Sequence, residues 1–190
     1  MKASVHSRRV LLDGFFHVED VEVSFELQNG GMSRPVRRFS LKRDLAAGMV
    51  LVNKARETVV LVRQFRYSAL DGGNAWLVEI VAGLIDAGET AEAAIRREAV
   101  EEAGYDVGHL EPITTFYTTP GICTERIALF YGETAAAEPV GRGGGLAEEG
   151  EDIAVIEMSY AEAFAMLDRG EIVDGKTLIA LLWLRQKLRR

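Results

Sequence analysis

The stretch from Thr90 to Gly104 constrains the fold more than any other part of the chain, because it combines a helical pattern with a cluster of like charges. Glu98, Glu101 and Glu102 stand at i, i+3 and i+4, so a helix places all three on one face. Such pairs destabilise a helix by roughly 0.2–0.5 kcal/mol each. The opposite side carries the apolar residues Ala91, Ala94, Ile95 and Ala99. Gly104 suits the left-handed position at which helices end, so the pattern predicts a helix from Thr90 to Ala103.

The segments around this helix have β character. Before it, the pattern predicts two antiparallel strands at 15–27 and 36–41, a hairpin at 48–53 and 58–66, and a strand at 75–83 that stops at Gly83. After it, the pattern predicts strands at 112–118, 126–133 and 153–159, then helices opening at Ser159 and Lys176. Residues 141–150 hold five glycines and are expected to form a mobile loop. Strands first and helices last indicate an α+β fold.

The composition excludes several classes of protein. A net charge of -7 and a pI near 5.1 argue against nucleic-acid partners, since phosphate backbones are bound by clustered Lys and Arg. One cysteine and three scattered histidines exclude a disulfide framework, a Cys or His metal site and a Ser-His-Asp triad. No apolar run reaches the roughly 18 residues of a membrane span. No signal segment opens the chain, so a cytoplasmic location is expected.

The helix is part of a longer pattern of fixed spacing. Its positions, in order, are Gly83, Glu89, Arg97, Glu98, Glu101, Glu102 and Gly104. This spacing resembles the Nudix box, G-x5-E-x7-R-E-U-x-E-E-x-G-U with U a bulky aliphatic residue, and every fixed letter is present. The U positions hold Ala99 and Tyr105, both apolar enough to face a core.

The carboxylate face has a chemical interpretation of its own. Hard oxygen ligands without nitrogen or sulfur suit Mg²⁺ or Mn²⁺. Water and substrate phosphates usually complete the coordination shell of Mg²⁺. The carboxylate face would therefore supply part of the ligands, and a bound diphosphate would supply others. Arg97 is expected to hold Glu89 or a neighbouring carboxylate in place. The alternative is a solvated helix face paired as Glu92–Arg96 and Arg97–Glu101.

Similarity to the ADP-ribose and GDP-mannose pyrophosphatases of the Nudix superfamily extends over most of the chain. It is carried by GFF (14–16), VRR (36–38), VVLVRQFR (59–66), WLVEIVAG (76–83), TTPGICTER (118–126), GLAEEGEDI (145–153) and DGKT (174–177). Pro120 follows Gly104 by 16 residues, as in the ADP-ribose subclass. DGKT is more similar to the GDP-mannose enzymes, so the two indications differ.

The resemblance implies a Nudix fold, an α/β/α sandwich with a mixed central sheet, over residues 46–190. It also implies an N-terminal antiparallel strand subdomain over residues 1–45, which takes part in dimerisation and in the substrate site. The expected assembly is a homodimer that exchanges N-terminal strands.

Site residues also follow from the resemblance. The implied metal ligands are the Ala82 carbonyl, Glu98, Glu102 and Glu151. The implied catalytic residues are Glu149 as general base, with Glu148 the alternative, Glu101 as a ligand or its close support, and Arg97. The implied substrate residues are Phe15, Arg38, Arg66, Glu79, Thr119 and Glu125, with the arginines on phosphate or ribose oxygens, the acids on hydroxyls or base edges, and Phe15 stacked on the base.

The predicted function is Mg²⁺-dependent hydrolysis of a nucleoside diphosphate sugar, with a loop glutamate deprotonating the attacking water. ADP-ribose, giving AMP and ribose 5-phosphate, is preferred, because Pro120 and WLVEIVAG lie at the expected site and DGKT lies further away. The alternative is GDP-mannose, giving GMP and mannose 1-phosphate. A third hypothesis is a catalytically silent module that binds a nucleotide sugar, but such a module is expected to have lost box carboxylates.

Overall fold

The computed structural model describes residues 1–189, with every side chain among them except that of Glu149. The described chain divides into two units. The smaller unit comprises Met1–Leu45 and Tyr117–Arg126, and the larger comprises Ala46–Phe116 with Ile127 and the residues after it. Residues 117–126 therefore join the smaller unit, which the sequence did not indicate. The roles expected for residues 1–45 in dimerisation and substrate binding stay predictions.

The smaller unit is built on a three-stranded antiparallel sheet in the order β1-β2-β3. Its strands are β1 (Ala3–Asp13), β2 (His17–Phe25) and β3 (Val36–Lys42). The pairing of β2 with β3 confirms the predicted antiparallel return. Backbone hydrogen bonds of Leu41 with Ile122 and Thr124 fasten residues 117–126 to β3. All eleven residues of β1 are exposed.

The larger unit contains a seven-stranded sheet whose main path runs β10-β5-β4-β9-β8. Its strands are β4 (Leu45–Asn53), β5 (Thr58–Phe65), β6 (Trp76–Glu79), β7 (Val81–Leu84), β8 (Val107–Tyr117), β9 (Arg126–Thr134) and β10 (Ala154–Ser159). Its helices are α1 (Ala91–Ala103), α2 (Tyr160–Asp168) and α3 (Gly175–Lys187). A short 3-10 helix covers Tyr67–Gly72 and another covers Ala147–Glu149. The α+β architecture with a mixed central sheet is confirmed.

The single strand predicted at 75–83 is wrong, because the chain forms two strands with different partners. The β4–β5 hairpin pairs from Asn53 and Thr58 as far as Leu51 and Val60. Further on, β6 pairs with β5 and β7 pairs with β4. Ile80 lies at the break between them, and its N–H bonds to Thr177 Oγ1 at 2.8 Å. A buried N–H that leaves the strand ladder needs another partner, and the threonine hydroxyl supplies it.

The two sides of β5 pack against different helices. Val59 and Leu61 belong to the core cluster formed with α2 and α3, through Ala163, Ala180, Leu181 and Leu184. The alternate residues Val60 and Val62 are also fully buried and point to the opposite face, where α1 packs with Ala94, Ile95 and Ala99. The central sheet is therefore covered on both faces. No helix within residues 1–189 has the length and apolar character needed to cross a membrane.

Candidate active site

Helix α1 has the ends that the sequence predicts. The Thr90 hydroxyl accepts the Ala93 N–H at 3.1 Å, which satisfies one free donor of the first turn. Gly104, with φ of 76°, ends the helix. With the apolar side buried against the sheet, Glu98, Glu101 and Glu102 lie toward β7 and the loop that follows Val140.

Strand β7 meets the carboxylates of α1 at close range. A methyl group on Gly83 would overlap the Glu98 carboxylate, so only glycine allows this approach. One residue earlier, the Ala82 N–H donates to Glu102 Oε2 at 3.1 Å. The glycine and the carboxylates of the sequence pattern are thus parts of one contact between a strand and a helix.

Arg97 organises the acidic groups around it. Its guanidinium donates to Glu89 Oε2 at 3.1 Å, and to Glu98 Oε1 and Glu101 Oε2 at 2.9 Å each. It also donates to the Leu84 carbonyl at 3.2 Å. The expected contact with Glu89 is present, and so are the pairs Arg97–Glu101 and Glu92–Arg96 of the alternative interpretation. The guanidinium of Arg97 thus holds three carboxylates at once, whereas the alternative interpretation pairs it with Glu101 alone.

Glu102 lies in an environment that disfavours a lone negative charge. The residue is 2% exposed. Burial raises the pKa of Glu102 to about 8, the Ala82 N–H opposes this, and the charges of Glu98 and Glu151 add to it. Burial likewise raises the pKa of Glu98, with Arg97 opposing and Glu101 and Glu151 adding. Carboxylates from α1 and from the loop after Val140 therefore repel one another across a small space.

This repulsion fits a divalent cation. The donors are all carboxylate or carbonyl oxygens, the ligands that Mg²⁺ and Mn²⁺ accept. Among the side chains that the structure describes, no three acidic, histidine or cysteine groups are arranged to hold a metal ion. Arg97 bridges Glu98 and Glu101, and Glu102 accepts from the Ala82 N–H. An incomplete set of protein ligands is expected where water and substrate phosphates supply the remaining ligands of the metal.

The glycine-rich loop is bonded to α1 over its first half, and the mobility expected for it stays a prediction. The N–H groups of Gly144 and Gly145 donate to the carbonyls of Glu102 and Glu101 at 2.9 and 3.0 Å. Glu151 Oε2 then accepts the Leu146 N–H at 3.0 Å. The side chain of Glu149, the predicted general base, lies outside the described structure.

Arg66 and Glu79 form an ion pair in the larger unit. Arg66 Nε and Nη2 donate to the two Glu79 oxygens at 2.8 and 2.9 Å. Glu79 is 1% exposed, and it also accepts from Lys176 Nζ. Both oxygens are therefore occupied by cations, and Glu79 orients Arg66 instead of presenting a free acceptor. The charge of Arg66 also lowers the pKa of Glu102, so the guanidinium lies close enough to influence the carboxylates.

Lys176 is a member of this cluster that the sequence did not single out. Its Nζ lies 3.1 Å from Asp174 Oδ1 as well as against Glu79. The only signal was the DGKT similarity, and the expectation that DGKT lies further from the site is wrong. Lys176 is 97 residues from Glu79 in sequence, so only the packing of α3 brings them together.

Four predicted substrate residues lie in the smaller unit. Phe15 is 84% exposed and packs edge-to-face on Phe16 with ring centroids 4.8 Å apart. Arg43 lies 5.8 Å from the Phe15 ring and 3.9 Å from Glu125 Oε1, so it connects two predicted residues. Nothing in the sequence marked Arg43. The Arg38 guanidinium donates to the Arg37 carbonyl, and the Thr119 hydroxyl bonds to the Thr118 hydroxyl.

Comparison with known proteins finds similarity along the whole chain. The model of the NUDIX domain matches residues 42–181. ADP-ribose pyrophosphatase of Escherichia coli (strain K12) is 39% identical over 180 residues, which cover 94% of this chain and 86% of that protein. GDP-mannose pyrophosphatase of Salmonella arizonae is 40% identical over 178 residues, covering 93% of this chain and 91% of that protein.

The fold is also found among solved structures. A crystal structure described as an ADP compounds hydrolase is similar with a TM-score of 0.77, covering 100% of this chain and 95% of the other. At 20% identity this likeness concerns the fold alone. The ADP-ribose pyrophosphatase and the GDP-mannose pyrophosphatase are almost equally similar to this chain, so sequence identity does not distinguish between these two kinds of relative.

Proposed function

Because this chain belongs to the Nudix family, we propose that it hydrolyses the diphosphate bond of a nucleoside diphosphate sugar with a divalent cation, Mg²⁺ or Mn²⁺. The observation that carries the proposal is the group formed by Glu98, Glu102 and Glu151: burial raises the pKa values of Glu98 and Glu102, and the charge of Glu151 raises both further. A divalent cation would allow carboxylates at this density to be ionised together.

The cation would be held by Glu98, Glu102, Glu151 and the Ala82 carbonyl. When bound, it would neutralise the charge that develops on the diphosphate oxygens. Arg97 keeps Glu98 and Glu101 in place through two hydrogen bonds of 2.9 Å. Glu101 supports the ligand set, and Glu149 is the group that would accept the proton of the attacking water.

Arg66 is the cationic group suited to phosphate or ribose oxygens. Its Nε and Nη2 are directed to Glu79, which leaves Nη1 without a role in that pair. Because a bidentate carboxylate fixes the guanidinium plane, Arg66 is pre-oriented before substrate arrives. We assign Arg38, Thr119, Glu125 and Phe15 to the nucleoside and sugar portions.

ADP-ribose and GDP-mannose both stay candidates for the substrate. ADP-ribose is favoured by Pro120, the position typical of that subclass, and is the first compound to test. GDP-mannose is favoured by DGKT, which is more similar to the GDP-mannose enzymes and whose Lys176 contacts Glu79 beside Arg66. The Lys176 contact weakens the argument from the location of DGKT, and Pro120 remains the reason for testing ADP-ribose first.

A substrate panel tests the proposal. ADP-ribose, GDP-mannose, NADH and UDP-glucose are incubated with the protein and Mg²⁺, and phosphomonoester release is measured. We expect cleavage of ADP-ribose or GDP-mannose, and a loss of at least about 100-fold in kcat for Glu102→Gln, in line with the loss of a metal ligand. Cleavage of none of the four, with tight binding of one, would instead support the silent binding module.

We further propose a homodimer that exchanges N-terminal strands, in the cytoplasm. Support comes from β1, which is exposed along its whole length and carries Val10, Leu11 and Leu12 in succession. A row of exposed apolar residues on an edge strand favours pairing with another chain. Light scattering at assay concentration should give twice the mass of the chain, and a monomer would refute the exchange.

A further inference from the structure

The backbone of residues 140–145 adds to the capping that Gly104 begins at the end of α1. The last carbonyls of a helix have no partner within the helix. Here the Glu101 carbonyl accepts the Gly145 N–H at 3.0 Å, and the Glu102 carbonyl accepts the Gly144 N–H at 2.9 Å. The loop is therefore bonded to the same two residues that carry carboxylates of the candidate metal site.

Side chains are excluded at two points of this contact. Gly143 has φ of +64°, and an added Cβ would lie 2.7 Å from the Glu102 carbonyl oxygen. Gly145 has φ of +77°, and an added Cβ would lie 2.5 Å from Glu151 Oε2 and 2.8 Å from Glu151 Cβ. Both the backbone conformation and the space thus require glycine.

The second half of the contact holds Glu151. The Ile153 N–H donates to the Gly144 carbonyl at 3.1 Å, which closes residues 144–153 into a loop with joined ends. Inside it, Glu151 Oε2 accepts the Leu146 N–H at 3.0 Å and packs on the bare Cα of Gly145. Burial raises the pKa values of Glu98 and Glu102, and the charge of Glu151 raises both further.

We propose that Gly143 and Gly145, here called the glycine clasp, are positioning residues that hold Glu151 opposite the carboxylates of α1 before any metal binds. The proposal rests on the proposed function, since it gives Glu151 the role of a metal ligand. Neither glycine touches the reacting atoms. Each acts by fixing where the acidic loop leaves the helix.

Alanine substitution separates the clasp from the rest of the loop. Gly145→Ala is compared with Gly141→Ala, because Gly141 lies in the same loop, has no positive φ and has open space at its Cβ. Mn²⁺ binding without substrate is measured by calorimetry, and backbone exchange of residues 141–153 is measured by mass spectrometry in the metal-free protein. For Gly145→Ala we expect Mn²⁺ affinity to fall about tenfold or more, the size typical of lost ligand support, and exchange to accelerate. Gly141→Ala should match the wild type in both.

A second variant separates the clasp from the metal site itself. Glu151→Gln should weaken Mn²⁺ binding while the Gly144 and Gly145 amides stay as protected as in the wild type. If Gly145→Ala does not fold, Gly145→Ala/Glu151→Gly decides, because glycine at 151 removes both the carboxylate and the Cβ that the added methyl group would overlap. Recovery of folding supports the clasp, and failure to recover contradicts it.

The outcomes also distinguish the two proposals. Wild-type protein that neither binds Mn²⁺ nor cleaves any nucleotide sugar would overturn the proposed function. Wild-type protein that does both, with Gly145→Ala unchanged in Mn²⁺ affinity and exchange, would overturn the clasp alone.

Discussion

Glu102 combines two properties that conflict in the metal-free protein. It is a carboxylate with 2% exposure, and the charges of Glu98 and Glu151 act on it. A buried acid with neighbours of like charge is neutralised by a proton or by a cation. If Glu102 is a metal ligand as proposed, a proton and the metal compete for the same oxygen atoms, and the pH decides which of them Glu102 carries.

The pH dependence of metal stabilisation tests this competition. Folding raises the pKa of Glu102 from its ordinary 4.5 to about 8, chiefly by burial. The contribution of the protonated group to the free energy of unfolding is therefore complete below pH 4.5 and is lost as the pH rises through 8. Mg²⁺ replaces the proton, and it should raise the melting temperature more at about pH 9 than at about pH 6. Thermal unfolding with Mg²⁺ or with a chelator measures the difference.

Glu102→Gln is the matched control for that experiment. The amide oxygen can still accept the Ala82 N–H, but the side chain no longer titrates. In this variant the effect of pH on the Mg²⁺ shift should shrink. An equal Mg²⁺ shift at both pH values in the wild type would show that Glu102 does not exchange a proton for the metal.

At the scale of elements, the first turn of α3 supports the break between β6 and β7. The Thr177 hydroxyl accepts the Ile80 N–H and donates to Asp174 Oδ2 at 2.6 Å. Lys176, in the same turn, carries a positive charge near a helix N-terminus, an unfavourable location that Glu79 and Asp174 offset. One helical turn therefore fixes the strand break, its own cap and the carboxylate that orients Arg66.

Thr177→Val tests this support. Valine keeps the shape of threonine but leaves the Ile80 N–H buried without a partner, which costs about 1–3 kcal/mol of unfolding free energy. Thr177→Ser keeps the hydroxyl and should cost less, about 0.8 kcal/mol for the lost methyl group. Urea unfolding compares the two variants. A larger loss for serine than for valine would show that packing, and not the hydrogen bond, is what Thr177 contributes.

At the scale of the whole molecule, the residues predicted to act on the substrate are distributed over the two units. The carboxylates and Arg97 belong to the larger unit, whereas Phe15, Arg38, Thr119 and Glu125 belong to the smaller. Loss of a contact that binds ground and transition states equally raises KM and leaves kcat unchanged, whereas loss of a contact made only in the transition state lowers kcat. We therefore expect substitutions in the smaller unit to change KM and those in the carboxylate group to change kcat.

Phe15→Ala is the variant that examines this division. Loss of an exposed aromatic ring that stacks on a base should raise KM for the cleaved nucleotide about tenfold, with kcat changed less than about twofold. Phe39→Ala is the control, because Phe39 is also an exposed aromatic of the smaller unit, with Arg37 4.8 Å from its ring. Steady-state kinetics separate the two constants. An unchanged KM for Phe15→Ala would remove Phe15 from the substrate site.

Much of this protein is readable from local sequence. The ends of α1 follow from Thr90 and Gly104, and the shared face of Glu98, Glu101 and Glu102 follows from their spacing, because helical periodicity and capping act within four residues. The β4–β5 hairpin and the pairing of β2 with β3 follow similarly from two β-rich runs around a turn. The carboxylate face of α1 depends on these short-range features, so the sequence by itself determined that face.

The tertiary structure decided how those features are supported. The break at Ile80, the contact of Lys176 with Glu79 and the closure of the glycine clasp on α1 join residues that are far apart along the chain. Nothing local distinguishes Gly145 from Gly141, yet only the former lies against a carboxylate. These backbone groups and ion pairs gain their partners only when the sheet and helices pack together. A pattern that extends over a few residues therefore does not predict those partners.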